Sequence, residues 1–191
     1  PYYNRMSARV WSGTAESCVD LNPVVVDPVS GDLIPAIWSF AMGVSGGQQV
    51  GYAHLDTGLD YYADHAGLWN GTAASWVDLN PGVGESWAYG ISGDQQVGRV
   101  STHAALWSGT AESWVDLNPA ESISSTAYGV SDGQQVGYAS VYDREHTGGI
   151  VRTHAGLWSG TAASWVDLSP AESTSSSGSS AYGVSGGQQV G

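Results

Sequence analysis

Three histidines, His65, His103 and His154, and four aspartates, Asp20, Asp78, Asp116 and Asp167, return at equivalent places along a chain of 191 residues. Imidazoles and carboxylates are general acid–base groups and metal ligands, so an acid/base set or a ring of metal ligands is the first chemistry these types suggest. Repetition weighs against both, because a catalytic centre is normally built once and asymmetrically. A polar clamp inside a sheet accounts for the pattern better: His, Asp and Ser satisfy one another there, as buried polar groups must.

Seven of the nine tryptophans also keep step with the repeat: Trp11, Trp69, Trp107 and Trp158 occupy one segment, Trp76, Trp114 and Trp165 the next. Alternation along Trp76-Val77-Asp78-Leu79 sends Trp and Asp to one sheet face and Val and Leu to the other. Packed between sheets, these rings form a core. Turned to a rim, Trp69, Trp107 and Trp158 become stacking platforms for a glycan, with Asp78, Asp116 and Asp167 accepting its hydroxyls and weak sites reinforcing one another. Both arrangements are open to the sequence.

Chemistry outside the repeat sits in two insertions. Residues 52–64 carry His54, Asp56, Asp60 and Asp64, and residues 138–153 carry Asp143, Glu145 and His146. Asp56, Asp60 and Asp64 are the candidate calcium ligands, although their spacing matches no known calcium loop and solvated hairpin tips are the simpler reading. Cys18 stands where the other copies have Trp76, Trp114 and Trp165, and reads as a small hydrophobe; a lone cysteine excludes an internal disulfide. Asn70-Gly71-Thr72 is a glycosylation sequon in a turn already explained by its Asn-Gly geometry.

The elements that position these residues are legible from turns. AYGVSDGQQV (residues 127–136) returns as AYGISGDQQV (88–97), AYGVSGGQQV (181–190) and AMGVSGGQQV (41–50). Gly-Gly, Gly-Asp and Asp-Gly pairs admit the positive φ of tight hairpins. Between these hairpins lies a strand–turn–strand block: residues 10–23, 65–81, 103–119 and 154–170. Proline closes its last strand. Four strands per unit at a period of roughly 40–50 residues predict an all-β propeller of four-stranded blades in one domain spanning 1–191, with repeat units near 7–51, 65–98, 103–137 and 154–191. Helical periodicity is absent, and Val, Trp, Tyr, Thr, Gly and Ser dominate.

The short connections make Ala-Tyr-Gly-Val-Ser the inner strand and Trp-Val-Asp-Leu-Asn the outer one, with Pro- and Ser-rich crossovers (118–126, 169–180) between blades. The crossover at 24–38 is longer and more apolar, suited to covering one end of the ring or meeting another subunit. The chain starts with two outer strands and stops after two inner ones. Pairing those ends would complete a composite fourth blade; a larger ring, through dimerisation or a longer parent polypeptide, is the alternative.

His-Ala-Gly-Leu-Trp (65–69), the Gly turn, Asp78-Leu79, and Ala-Tyr-Gly-Ile-Ser with Gln-Gln-Val-Gly (88–98) together resemble the HAF repeat, an extracellular repeat of bacterial proteins. Gly67, Ala105 and Gly156 replace its name-giving Phe, and Ser7 replaces the first His. The resemblance covers most of the chain and implies a bacterial exported, propeller-like protein, with no catalytic residues to carry over.

Eighteen acidic residues against five arginines and no lysine give a net charge of −13, which repels phosphate backbones and anionic bilayers. No apolar run approaches the roughly 20 residues of a membrane span. The expectation is therefore an exported, non-enzymatic recognition module, acting on glycans or another surface ligand, without nucleic acid, membrane insertion or an obligatory cofactor. The alternative is a structural scaffold that associates with its own kind.

Overall fold

The computed structural model describes residues 6–27, 29–58, 62–143, 150–170 and 178–191. Among them the regular structure is β-strand, interrupted only by four three-residue 3-10 turns. A short pair, β1 (Arg9–Val10) and β2 (Val19–Asp20), precedes a hairpin of β3 (Val24–Val26) and β4 (Leu33–Pro35). Three four-stranded sheets follow. The first contains β5 (Trp38–Ser45), β6 (Gln48–Asp56), β7 (Tyr62–Trp69) and β8 (Val77–Asp78). The second contains β9 (Ser86–Ser92), β10 (Gln95–Val100), β11 (His103–Trp107) and β12 (Val115–Asp116). The third contains β13 (Ser122–Ser131), β14 (Gln134–Asp143), β15 (Ile150–Trp158) and β16 (Val166–Asp167), and a last hairpin pairs β17 (Gly183–Ser185) with β18 (Gln188–Val190).

Each four-stranded sheet is an antiparallel meander in chain order. A sequence unit such as 65–98 thus supplies the last two strands of one sheet and the first two of the next. Turn chemistry sets this register. Asp132 and Gly133 take φ of 51° and 76°, the doubly positive geometry whose twist matches paired strands; Asp tolerates that region better than most side chains.

Four local features differ from the sequence reading. Trp76 lies outside the outer strand: Thr72 to Ser75 fold into a 3-10 turn closed by reciprocal Thr and Ser bonds, Trp76 follows it, and the strand shortens to Val77–Asp78. Leu79 is buried, while Val77, nominally on the same face, is exposed. The apolar crossover contains its own hairpin, with Val25 opposite Ile34. Each inner strand of the three sheets is bulged, leaving Met42, Tyr89 and Tyr128 unpaired between Ala and Gly, which locally re-aims the side chain.

The core lies between consecutive sheets. Strands β5, β9, β13 and β17 lie against one another in series. They approach closely because of glycine: a Cβ on Gly90 would meet the Tyr128 carbonyl oxygen at 2.6 Å, and one on Gly129 would meet that of Tyr182 at 2.9 Å. Farther out, Trp107 packs with Leu68 and Leu79 of the preceding sheet, Trp158 with Leu106 and Leu117, and Trp69 with Ala8 and Leu21. The fold is all-β, a series of four-stranded antiparallel sheets.

Candidate functional site

The repeated His and Asp meet within each sheet. Nδ1 of His65, His103 and His154 lies 2.8, 2.8 and 2.6 Å from Oδ2 of Asp78, Asp116 and Asp167. The strand pairing makes this possible, because each His lies two residues before Gly67, Ala105 or Gly156, the third-strand residue that stands opposite the Asp ending the fourth strand. The other carboxylate oxygen accepts the amide two residues on, from Asn80, Asn118 or Ser169, each at 2.8 Å. Asp20 makes the same amide bond to Asn22 at 2.8 Å in the first copy, where Ser7 stands in place of His. Burial pushes the Asp167 carboxyl up, yet hydrogen bonds from His154 and from the amide and hydroxyl of Ser169 outweigh it and hold the group below its ordinary value. Both oxygens of each histidine-paired Asp are engaged in locking the outer strand and ending it.

The tryptophan platform does not form. Trp69, Trp107 and Trp158 are each 0% exposed, enclosed between sheets where no sugar ring can reach their faces. The period that repeats them also stacks one sheet upon the next, and each ring fills that gap. Trp158 adds a hydrogen bond, its Nε1 donating to the Leu117 carbonyl of the preceding sheet at 2.7 Å. Trp76 and Trp165 lie at 4.7 and 4.6 Å from Trp69 and Trp158, tilted against them. Without the aromatic faces, Asp78, Asp116 and Asp167 are not part of a stacking site.

Two further repeated sets do structural chemistry that the sequence reading did not assign. The second Gln of each Gln-Gln-Val-Gly is a staple. Oε1 of Gln49, Gln96 and Gln135 accepts the amides of Gly71, Gly109 and Gly160 at 2.9, 2.7 and 2.8 Å, and their amide nitrogens donate to carbonyls of their own hairpin turns. The second set is a serine two residues before each inner-strand Ala. Ser39, Ser86, Ser125 and Ser179 accept the amides of Ala8, Ala66, Ala104 and Ala155 of the preceding sheet at 3.0, 2.9, 2.9 and 2.9 Å. Their constant spacing from Ala-Tyr-Gly was the available signal.

One constellation lies outside the repeated positions. His54 stacks on Trp38 at 3.9 Å and lies 2.7 Å from Asp64 Oδ1 through its Nδ1. Trp87 donates Nε1 to the other Asp64 oxygen at 2.9 Å, and the Arg99 guanidinium sits 4.2 Å from the Trp87 ring, a cation–π contact. The first insertion is thereby tied to the second sheet. Of the candidate calcium ligands, Asp64 has both oxygens so engaged, Asp56 accepts the Gly58 amide at 2.9 Å, and Asp60 lies outside the described residues. Glu145, His146 and the Asp143 side chain lie outside them too. Among the described residues no group of three or more His, Cys, Asp or Glu is arranged to hold a metal ion.

The inner strands carry a spine of tyrosines. Tyr89 and Tyr182 flank Tyr128 at 5.5 and 5.1 Å, with Tyr138 at 5.9 Å. Burial first, then the neighbouring Tyr138, Tyr89 and Tyr182, push the Tyr128 phenol up to about 12. No helix among the described residues is long and apolar enough to cross a membrane. Comparison of the chain with protein-family models and with curated proteins finds no match.

Proposed function

We propose that this chain is an exported, non-enzymatic repeat scaffold of propeller type, its sheets arranged as blades around an axis followed by β5, β9, β13 and β17. The observation that carries this reading is where the chemistry-bearing residues of the repeat are spent. Trp rings fill the spaces between sheets, His–Asp pairs lock outer strands, Gln staples turns and Ser bridges sheets. The likeness of the motifs to the HAF repeat supports a bacterial extracellular or cell-surface location, and a net charge of −13 suits a solvated exterior. Association with its own kind, in place of a small-molecule ligand, is its role in this reading.

A broad glycan array, run with calcium and again with chelator, tests it. The scaffold reading predicts silence in both. A hit lost in folded Trp107→Ala and Trp158→Ala variants would restore the lectin reading, and a hit lost only with chelator would assign binding to the acidic insertions; either outcome contradicts a ligand-free scaffold.

A further inference from the structure

A bulge and a glycine bring tyrosines of successive sheets together. In β9 and β13 the register shift leaves Tyr89 and Tyr128 between a paired Ala and a paired Gly, and the glycine after each tyrosine lies almost against the backbone of the next sheet. A Cβ on Gly90 would stand 2.6 Å from the Tyr128 carbonyl oxygen, and one on Gly129 would stand 2.9 Å from that of Tyr182. Strands held this close bring their phenol rings into contact. The Tyr128 centroid lies 5.5 Å from that of Tyr89 and 5.1 Å from that of Tyr182, with the planes inclined at 45° and 34°. Tyr138, in the same sheet as Tyr128, is 5.9 Å away. In the first sheet Met42 occupies the bulged position, so the contact has no counterpart between the first sheet and the second.

We propose that Tyr128 is an oxidative coupling site: a one-electron oxidant joins it to Tyr89 or Tyr182 as dityrosine, a covalent stitch between consecutive sheets. This deepens the scaffold reading, on which it rests for an exported chain that meets hydrogen peroxide and a peroxidase outside the cell. Each phenol gives up one electron and its hydroxyl proton and becomes a phenoxyl radical. The two radicals combine through ring carbons ortho to oxygen, the hydrogen displaced from each of those carbons returns to its own phenol oxygen, and a biphenol results. In all, two electrons and two protons leave the protein. One molecule of hydrogen peroxide takes them up and is reduced to two of water.

Position decides which tyrosines couple. A phenoxyl radical combines with another only where two rings can meet, and Tyr128 has a tyrosine of the sheet on either side against it. Tyr62 and Tyr142 are more open to an oxidant, 44% and 49% exposed, but among the described residues neither has a tyrosine ring against it, and Tyr62 faces His54. The inclined planes suit the product, whose two rings twist about the bond that joins them. Burial and the neighbouring phenols hold the Tyr128 proton in place, so near neutral pH the electron and the proton leave together.

Dilute protein treated with a plant peroxidase and limiting hydrogen peroxide tests the site. The expected product is a monomer lighter by two hydrogen atoms, carrying the blue fluorescence of dityrosine, whose digest links a peptide containing Tyr128 to one containing Tyr89 or Tyr182. It should unfold at higher denaturant than the untreated chain, because a cross-link constrains the unfolded state. Tyr128→Phe is expected to abolish the product, and Tyr62→Phe and Tyr142→Phe to leave it. Tyr89→Phe, a conservative change that spares the Tyr128 ring, should move the whole of it to Tyr182. Product that persists in Tyr128→Phe, a bond from Tyr128 to Tyr138 in place of one between sheets, or fluorescence confined to covalent dimers overturns the proposal. So does a chain left unlinked by a dose that couples free tyrosine in a parallel tube. A chain that stays unlinked and is silent on the glycan array would remove the stitch and leave the scaffold reading standing; one that couples and binds glycan would do the reverse.

Discussion

A methyl group on Gly156 would lie 1.6 Å from Cζ3 of Trp165, and one on Gly67 would lie 1.8 Å from Cζ3 of Trp76. The residue at this strand position and the ring above it are therefore one packing unit. Its other versions follow suit: Arg9 goes with the small Cys18, and Ala105 goes with a Trp114 that packs instead with the Val50–Leu79 cluster. Gly156→Ala should cost about 1–3 kcal/mol by displacing Trp165. The cost should largely disappear when Trp165→Cys is already present, a non-additivity that chemical denaturation of the double-mutant cycle measures. Full additivity would mean that the two do not share space. Tyr128 offers a second test. Its phenol is raised from 10.0 to about 12 by burial and then by its tyrosine neighbours. The folded state therefore holds this proton more tightly than the unfolded state does. That contribution is complete below pH 10.0 and is lost as pH climbs toward about 12. Phenolate absorbance should show late tyrosines in the folded protein, since burial raises Tyr52 and Tyr89 as well, and one fewer of them in Tyr128→Phe. For Asp167, whose carboxyl is lowered, the contribution is whole above the ordinary 3.8 and is lost as pH falls below it.

Among the elements, the hairpin and the turn that follows the third strand are joined by one buried side chain. Gln135 accepts from Gly160 at 2.8 Å and donates to Gly133 at 2.9 Å, so Gln135→Leu leaves two main-chain groups without partners. A loss of about 1–3 kcal/mol is expected, read as a shift in denaturation midpoint at unchanged slope. Much of this architecture was legible beforehand. Gly-Gly and Asp-Gly pairs between short alternating runs specify hairpins, and the short connection to His-Ala-Gly-Leu-Trp specifies the meander. The His–Asp clamp was legible as well, because a pair repeated in every copy answers to strand geometry. The bulge at Tyr89 and Tyr128 was not, since a one-residue register shift at Ala-Tyr-Gly depends on how the next sheet packs against the glycine. The 3-10 turn was hidden for another reason. Thr72-Ala73-Ala74-Ser75 carries no distinctive turn residue, and its geometry depends on Ser75 bonding back to Thr72 at 2.6 Å. Alternation gives the face on which Trp69 lies but not whether another sheet covers it, so the choice between core and platform had to await the fold.

At the scale of the molecule, the repeat makes a series in which each sheet packs on the next through equivalent residues. Copies that each carry −13 repel one another, so the self-association proposed for the scaffold should strengthen as salt screens the charge. Sedimentation across an ionic-strength series checks this; association that weakens with salt would point to an ionic contact elsewhere. The central claim is that the repeated tryptophans Trp69, Trp107 and Trp158 are structural. Fluorotryptophan labelling tests it most directly, with ¹⁹F resonances assigned by single Trp→Phe substitutions and their exposure read from solvent isotope shifts. The account predicts that Trp69, Trp107 and Trp158 are shielded at every protein concentration. Exposed rings at Trp107 and Trp158 would contradict it.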